Sequence, residues 1–563
     1  MKKVIILLFV LIYLFVFLCG CNKKSDSSTP SNEAPTIETG KVAAETVRLL
    51  YSSKDSLDPY TCVTEQNANL SQLIFEPLLI LNNQYEIEYR LAESVVVNEN
   101  ICTIKLIKAN FSDGSFVTAD DVVFSFEKAK KSSTTRHSSA LKYAISAVAQ
   151  NSTTIIISLK RNDPFFANLL TFPIMKKDTD QLKDTDNKAL VPIGAGRFVF
   201  NNQNATLSEN THYYGDKSAI KKIQTVDCPD NESVEQAINA GMVDHYFSHL
   251  SGNTIPKMNG NSINVLQNRI VFLGVNPNHP QLTNSLFRQA ISAALNRQEI
   301  CNTAYFGNAS PALAPVPTVW KPTEGLLAFE KNSNFEIAKK NIELAGFTQK
   351  DNEGFYVLKN NSPITFSLLV NSDNISRLNS ANIIVDCLLK VGIKININAV
   401  NNEQYYSLLA SRSYDLYLGE IRYDDNMDFY GLTRLNSAYF LLPSNNTALA
   451  EDTVSANTVT ISSKVSSKIN SISSTLSSSS LVSDNSSAEE MLAPGAITLT
   501  TAEAYTGYYN GLYTLQDLIT AFNAELPVIP ICFKNGMVIY SDRFGNGITP
   551  SRTELFHGIQ YLK

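Results

Sequence analysis

The chain has 563 residues, 44% of them hydrophobic and 18% charged, with a formal net charge of -6. This is the make-up of a globular protein with a true apolar core and room for about three or four domain-sized units. A mildly acidic surface without basic clusters argues against nucleic acid as a partner.

Lys2 and Lys3 precede an unbroken apolar run from Val4 to Leu18, which ends in Leu18-Cys19-Gly20-Cys21 before polar residues take over. A basic start, a short apolar core and a small residue before a cleavage point describe a secretory signal peptide over residues 1–20. Fifteen apolar residues fall short of the roughly 20 that span a bilayer, which disfavours an uncleaved anchor helix. The last four residues resemble the lipobox of bacterial lipoproteins, which makes Cys21 the lipidated first residue of the mature chain, although Cys19 departs from the usual small residue. Cleavage leaves 543 residues at a net charge of -8, outside the cytoplasm. Residues 21–45, rich in Ser, Thr, Asn, Pro and Glu, read as a flexible spacer that cannot bury enough apolar surface to order itself.

Further along, Asp113-Gly114 marks a turn, and Thr118 with Asp121 gives a capping-box start to a helix over Ala119–Lys130. Runs rich in β-branched residues predict strands at Thr153–Leu159, Ile270–Val275 and Ile393–Val400. Helical spacing predicts helices at Ser285–Leu295 and Ile337–Ala345. A low-complexity segment occupies 450–490, with eleven serines among residues 461–480. It reads as a mobile insertion, in which Val465, Ile469, Ile472 and Leu476 recur at the spacing of a frayed amphipathic helix.

Cys62, Cys102, Cys228, Cys301, Cys387 and Cys532 are scattered singly, so neither a zinc site nor a redox motif has its spacing. Disulfides are permitted outside the cell but this pattern assigns none. His245 and His249 would share a helix face, yet in a strand they are about 13 Å apart, too far for one metal ion. Gly194–Val199 lacks the Lys-Ser/Thr of a phosphate loop and reads as a turn before a strand. The common hydrolase signatures are missing, so no catalytic residue, cofactor or metal is assigned. A surface-anchored hydrolase using paired carboxylates is carried as a minor alternative.

Seven segments in order resemble the solute-binding proteins of ATP-binding-cassette importers, in the family of oligopeptide, dipeptide and nickel binders. They are Leu57–Leu81, the FSDGSFVTADDVVFSFEKAK stretch Phe111–Lys130, Pro192–Phe200, Ala237–Asp244, Phe272–Ile300 with its Arg-Gln-Ala-Ile helix, and the terminal Glu525–Phe533; AKKNIELAGF lies between the last two. The resemblance implies a mixed α/β, two-lobed fold of the periplasmic-binding-protein kind, type II with three subdomains. Lobe 1 would hold 46–270 with 527–563 returning to it, and lobe 2 would hold 271–526. Hinge strands near Arg269–Asn276 and Glu525–Phe533 would join them, and a ligand bridging the cleft would shift the population toward closure.

By the same resemblance the ligand is a small solute, above all an oligopeptide, held by its backbone with its ammonium on a carboxylate. The relevant stretch is Tyr414–Leu432, where Asp424 or Asp425 fills the anchoring place, Tyr423 adjoins it and Asp428 is the second acid. Ile421 or Arg422 stands where the family has a platform Trp, Phe429 replaces a Pro, and the one tryptophan is Trp320. Val63 and Glu65 correspond to the other ligand-facing loop. The implied partners are a permease and ATPase complex and, through the lipid, the membrane; the chain is expected to be monomeric. A peptide-signal sensor of the same fold is the alternative.

Overall fold

The computed structural model describes residues 46–132, 137–250, 258–326, 333–435, 499–544 and 547–559. Cys21, the leader, the spacer and the Ser-rich stretch 450–490 lie outside them. The described chain is mixed α/β, built on three principal sheets. A seven-stranded sheet has His245–Ser248 at one edge, then Val528–Tyr540, Asn261–Val275, Leu416–Arg422, Thr365–Asn371 and Lys394–Val400, with Ala309–Pro311 pairing onto Val528–Tyr540. Thr46–Tyr51, Lys222–Asp227, Thr206–Glu209 and Phe198–Asn201 make a four-stranded sheet; Ala92–Asn98, Ile101–Leu106, Thr154–Leu159 and Ala144–Asn151 make another.

The predicted helices form at Ala119–Lys131, Ser285–Ala294 and Phe335–Leu344, within two residues of expectation. At the first, the Thr118 amide and hydroxyl donate to the Asp121 carboxylate at 2.9 and 2.7 Å, which closes the start of the helix as the sequence requires. The glycines at 194 and 196 serve close approach. A Cβ at Gly194 would sit 2.0 Å from the Ile74 carbonyl oxygen, and the Gly196 amide donates to that same oxygen at 2.9 Å. The segment is thus a turn docked on the backbone of residues 73–74 ahead of the strand Phe198–Asn201.

Two strands are long, 15 residues at Asn261–Val275 and 13 at Val528–Tyr540, and they pair antiparallel from Asn261 opposite Tyr540 to Gly274 opposite Val528. Side chains alternate across a strand. Ile270 and Phe272 therefore enter one core, shared with the helix Ala119–Lys131, whereas Val271, Leu273 and Val275 enter a second core under the helices Ser285–Ala294 and Ile375–Lys390. Pairing shifts register between Leu266 and Ile270, leaving Gln267, Asn268 and Arg269 in a bulge midway along the strand.

His245 and His249 part company. His245 is buried, its ring 4.4 Å from that of Phe556, while His249 Nε2 lies 2.6 Å from Glu65.

Candidate functional site

Beside the bulge a cavity of about 250 Å³ opens. One wall comes from the helix Glu65–Ser71, from Phe172 and Phe247, and from Arg552 and Leu555 near the end of the chain. The facing residues are Gln267 of the bulge and Arg422, Asp424 and Asp425, where the strand Leu416–Arg422 ends. Bulges re-aim side chains at ligand sites, and this one supplies a residue to each job. Gln267 faces the cavity, Asn268 holds Asp425, and Arg269 reaches Glu420 at 3.2 Å.

The acidic residues predicted as ligand groups fall into three environments. Asp425 is matched from within. Its carboxylate accepts from Asn268 Nδ2 at 2.8 Å and pairs with the Arg552 guanidinium, and its carbonyl accepts from Asn168 at 3.1 Å. Asp424 lines the same cavity and accepts from the neutral Ser139 hydroxyl at 3.2 Å. Asp428 is off the cavity wall, accepting from Arg161 and Tyr505 at 2.6 Å each with Lys142 at 3.9 Å. Burial pushes its carboxyl up, but Arg161 and Lys142 outweigh that and hold it below the usual carboxylate range.

Glu65 stands at the first position of its helix, on the cavity wall and against His249. Val63 points away, 72% exposed, and its amide donates to Asp55 at 3.0 Å, so it belongs to a turn braced by that carboxylate. Tyr423 is buried off the cavity. Its hydroxyl donates to the Pro315 carbonyl and its amide to the Asn268 carbonyl at 3.0 Å, so it fixes the strand end that presents its neighbours. Strand alternation decides the platform position: Arg422 faces the cavity, while Ile421 packs into the first core. Trp320 packs edge-on against Phe165, ring centres 4.9 Å apart, within that core.

Arg552 and His249 were not foreseen. Burial first, and the nearby Arg422 second, pull the Arg552 guanidinium down to about 10, which leaves it charged at neutral pH. No local motif marks Arg552: its partner Asp425 is more than a hundred residues away, and only the assembled fold joins them. The cavity therefore carries two carboxylates, Glu65 on one wall and Asp424 facing it, and two guanidiniums, Arg552 and Arg422. This arrangement has the charges needed to hold a small charged or zwitterionic molecule by charge-assisted hydrogen bonds.

Comparison with known proteins gives the family and the fold. The family "Bacterial extracellular solute-binding proteins, family 5 Middle" matches residues 86–439. The oligopeptide-binding protein AppA of Bacillus subtilis is 24% identical over 423 residues, 71% of this chain and 76% of that protein. The periplasmic oligopeptide-binding protein OppA of Salmonella typhimurium is 23% identical over 401 residues, 64% of this chain and 71% of its own. Among solved structures, an unliganded open form of the periplasmic murein tripeptide binding protein MppA superposes with a TM-score of 0.65 at 18% identity, covering 93% of this chain and 98% of its own. A nickel ABC transporter structure from Bacillus halodurans gives 0.62 at 19% identity, covering 92% and 99%. The shared fold is the two-lobed, mixed α/β arrangement of periplasmic binding proteins. The long match and the common fold together place the chain in family 5 of the bacterial extracellular solute-binding proteins.

Proposed function

We propose that this chain is a lipid-anchored binder at the outer face of the cell that captures a short peptide in the cavity beside the bulge and delivers it to a permease driven by an ATPase. It performs no covalent chemistry. Its closest support from named relatives is that AppA and OppA are oligopeptide-binding proteins. The observation that carries the reading is the difference between two adjacent carboxylates. Asn268 and Arg552 hold Asp425 within the protein, whereas Asp424 lines the cavity, where it accepts from the Ser139 hydroxyl, lies in the field of Arg552 and can add a ligand's ammonium group. Cys21 would hold the protein at the membrane, and residues 46–270 with 527–563 would move against 271–526 about the paired long strands, gripping the ligand between them.

The test is calorimetry with short peptides and their N-acetylated forms. Asp424→Asn is expected to weaken the free-amine peptides by about 2 kcal/mol or more, because it removes one partner of a desolvated charge pair. Acetylated peptides should bind the unaltered protein poorly and respond little to the substitution. Equal binding of free and acetylated peptides to both proteins would overturn the assignment.

A further inference from the structure

The strands Leu416–Arg422 and Thr365–Asn371 run parallel and end at one edge of the seven-stranded sheet. The helix Ile375–Lys390 starts there, with Arg377 in its first turn. The two long strands add Arg269, from the bulge, and Lys534. All three cations close on one carboxylate. Arg269 Nη1 and Arg377 Nη2 donate to Glu420 at 3.2 Å each, and Lys534 Nζ lies 3.4 Å from both of its oxygens. Burial would raise the Glu420 carboxyl, but these cations bring it down to about 2, so it carries its charge at neutral pH.

The charges do not balance. Three cations against one anion leave an excess of two positive charges, and among the described residues no other carboxylate pairs with Arg269, Arg377 or Lys534. Water has little access to make up the difference. Lys534 is 5% exposed, and Glu420 is the one partner of its ammonium. Arg377 Nε is enclosed without a partner. So is the hydroxyl of Tyr305, a residue 6% exposed in the fields of Glu420 and Arg377, whose neighbour Ser380 donates instead to the Ser376 carbonyl at 2.7 Å. Arg269 also stands directly opposite Arg422 across the paired strands, and like charges so placed are unfavourable without an anion beside them. The start of a 16-residue helix adds partial positive charge at the same place. Uncompensated charge is costly in an interior, whereas guanidinium and ammonium donors bind oxyanions by charge-assisted hydrogen bonds.

We propose that Arg269, Arg377 and Lys534 hold a free, doubly charged oxyanion of the sulfate or hydrogen phosphate kind. Two negative charges cancel the excess. The oxygens of such an ion accept from Arg377 Nε, from the ammonium of Lys534 and from the Tyr305 hydroxyl, which are the donors the protein leaves unmet. Arg269 keeps 35% of its side chain in water, so the ion reaches the site from the side of the bulge. None of the three cations lines the cavity described above, so the ion's place is separate from that of the captured ligand. It follows from the charges at the sheet edge alone and does not depend on the peptide reading.

The test is calorimetry on the purified protein in chloride buffer at constant ionic strength, with sodium sulfate and sodium phosphate as titrants. One ion per chain should bind saturably, and nitrate, with a single charge, should bind about tenfold more weakly or less. The tighter of sulfate and phosphate names the resident ion. Arg377→Gln should weaken that ion by about tenfold or more and leave peptide affinity within about twofold. Arg269→Gln, a change on the exposed side of the site, should also weaken the ion, and it serves if the first variant does not fold. Selenate, isosteric with sulfate, soaked into crystals of the unaltered protein should give its anomalous peak within hydrogen-bond distance of Arg377 and Lys534. No saturable binding of either ion, nitrate binding as well as sulfate, or a selenate peak elsewhere would overturn the proposal. So would sulfate that displaces free peptides but spares their C-terminal amides, since the cations would then serve the ligand's own carboxylate. Absence of peptide binding in the calorimetry above would count against that ligand alone, because the ion is titrated without it.

Discussion

Asp424 and Asp428 lie four residues apart after one strand and carry the same side chain, yet the fold spends them differently. Asp428 is enclosed and meets Arg161, Tyr505 and Lys142, which come from two distant stretches of chain. Asp424 stands at a cavity, meets a hydroxyl and shares that cavity with Arg552 and Arg422. Glu420, within the same strand, extends the contrast, since it is buried among Arg269, Arg377 and Lys534 at 3.2 to 3.4 Å. A buried carboxylate must be matched to be tolerated, and one that is fully matched has nothing left to offer a ligand. The enclosed acids hold the structure together, and the one on the cavity wall can bind.

The largest expected effect tests the matched side. Glu420→Gln removes the one anion among three cations and should cost about 3–5 kcal/mol, seen as a large drop in the urea midpoint. Acid should reproduce part of the loss. Burial alone would raise the Glu420 carboxyl, but Lys534, Arg377 and Arg269 outweigh it and bring it down to about 2 from an ordinary 4.5. A depressed carboxylate stabilises fully above its unfolded value and loses that contribution as pH falls through the folded one. Glu420 should therefore account for about 3 kcal/mol of the stability lost between pH 4.5 and 2. Glu420→Gln should flatten that part of the profile, and an unchanged acid limb in the variant would show that other groups govern it.

Asp428→Asn keeps an acceptor for Tyr505 but strips the charge from Arg161, so a loss of about 1–3 kcal/mol is expected. Peptide affinity should change far less than stability. Asp424→Asn should show the reverse, with the midpoint hardly moved and free-amine peptides released. If the two variants failed in the same way, the distinction between a holding acid and a binding acid would be lost.

What the sequence disclosed follows the range of the forces involved. The capping contact of Thr118 with Asp121, the turn at Gly194–Val199 and the strand at Ile270–Val275 are set by neighbours a few residues away, and each was legible, whereas the docking of Gly194 and Gly196 on Ile74 is made only in the fold. The acidic turn was legible as a group, with Asp424 and Asp425 left as equal candidates. Their separation depends on Arg552, which arrives from the far end of the chain. The pairing of His249 with Glu65 and of Tyr505 with Asp428 is likewise made by folding alone, so residue spacing could not reveal it.

Val63 provides the smallest expected effect and the sharpest limit on the comparison. Its loop was expected to face the ligand, and Glu65, two residues on, does line the cavity. The loop is held through main-chain and hydroxyl donors: the Val63 and Thr64 amides reach Asp55 at 3.0 and 2.8 Å and the Thr64 hydroxyl reaches it at 2.6 Å. None of these bonds uses the Val63 side chain, which is in water. Val63→Ser should then shift stability by no more than about 0.5 kcal/mol and peptide affinity by no more than about twofold. Asp55→Ala, which removes the acceptor of all three bonds, should loosen the loop and disturb Glu65 through its helix. A large loss of affinity in Val63→Ser with stability intact would mean that the side chain turns inward when ligand arrives, and that the loop joins Asp424 in gripping it.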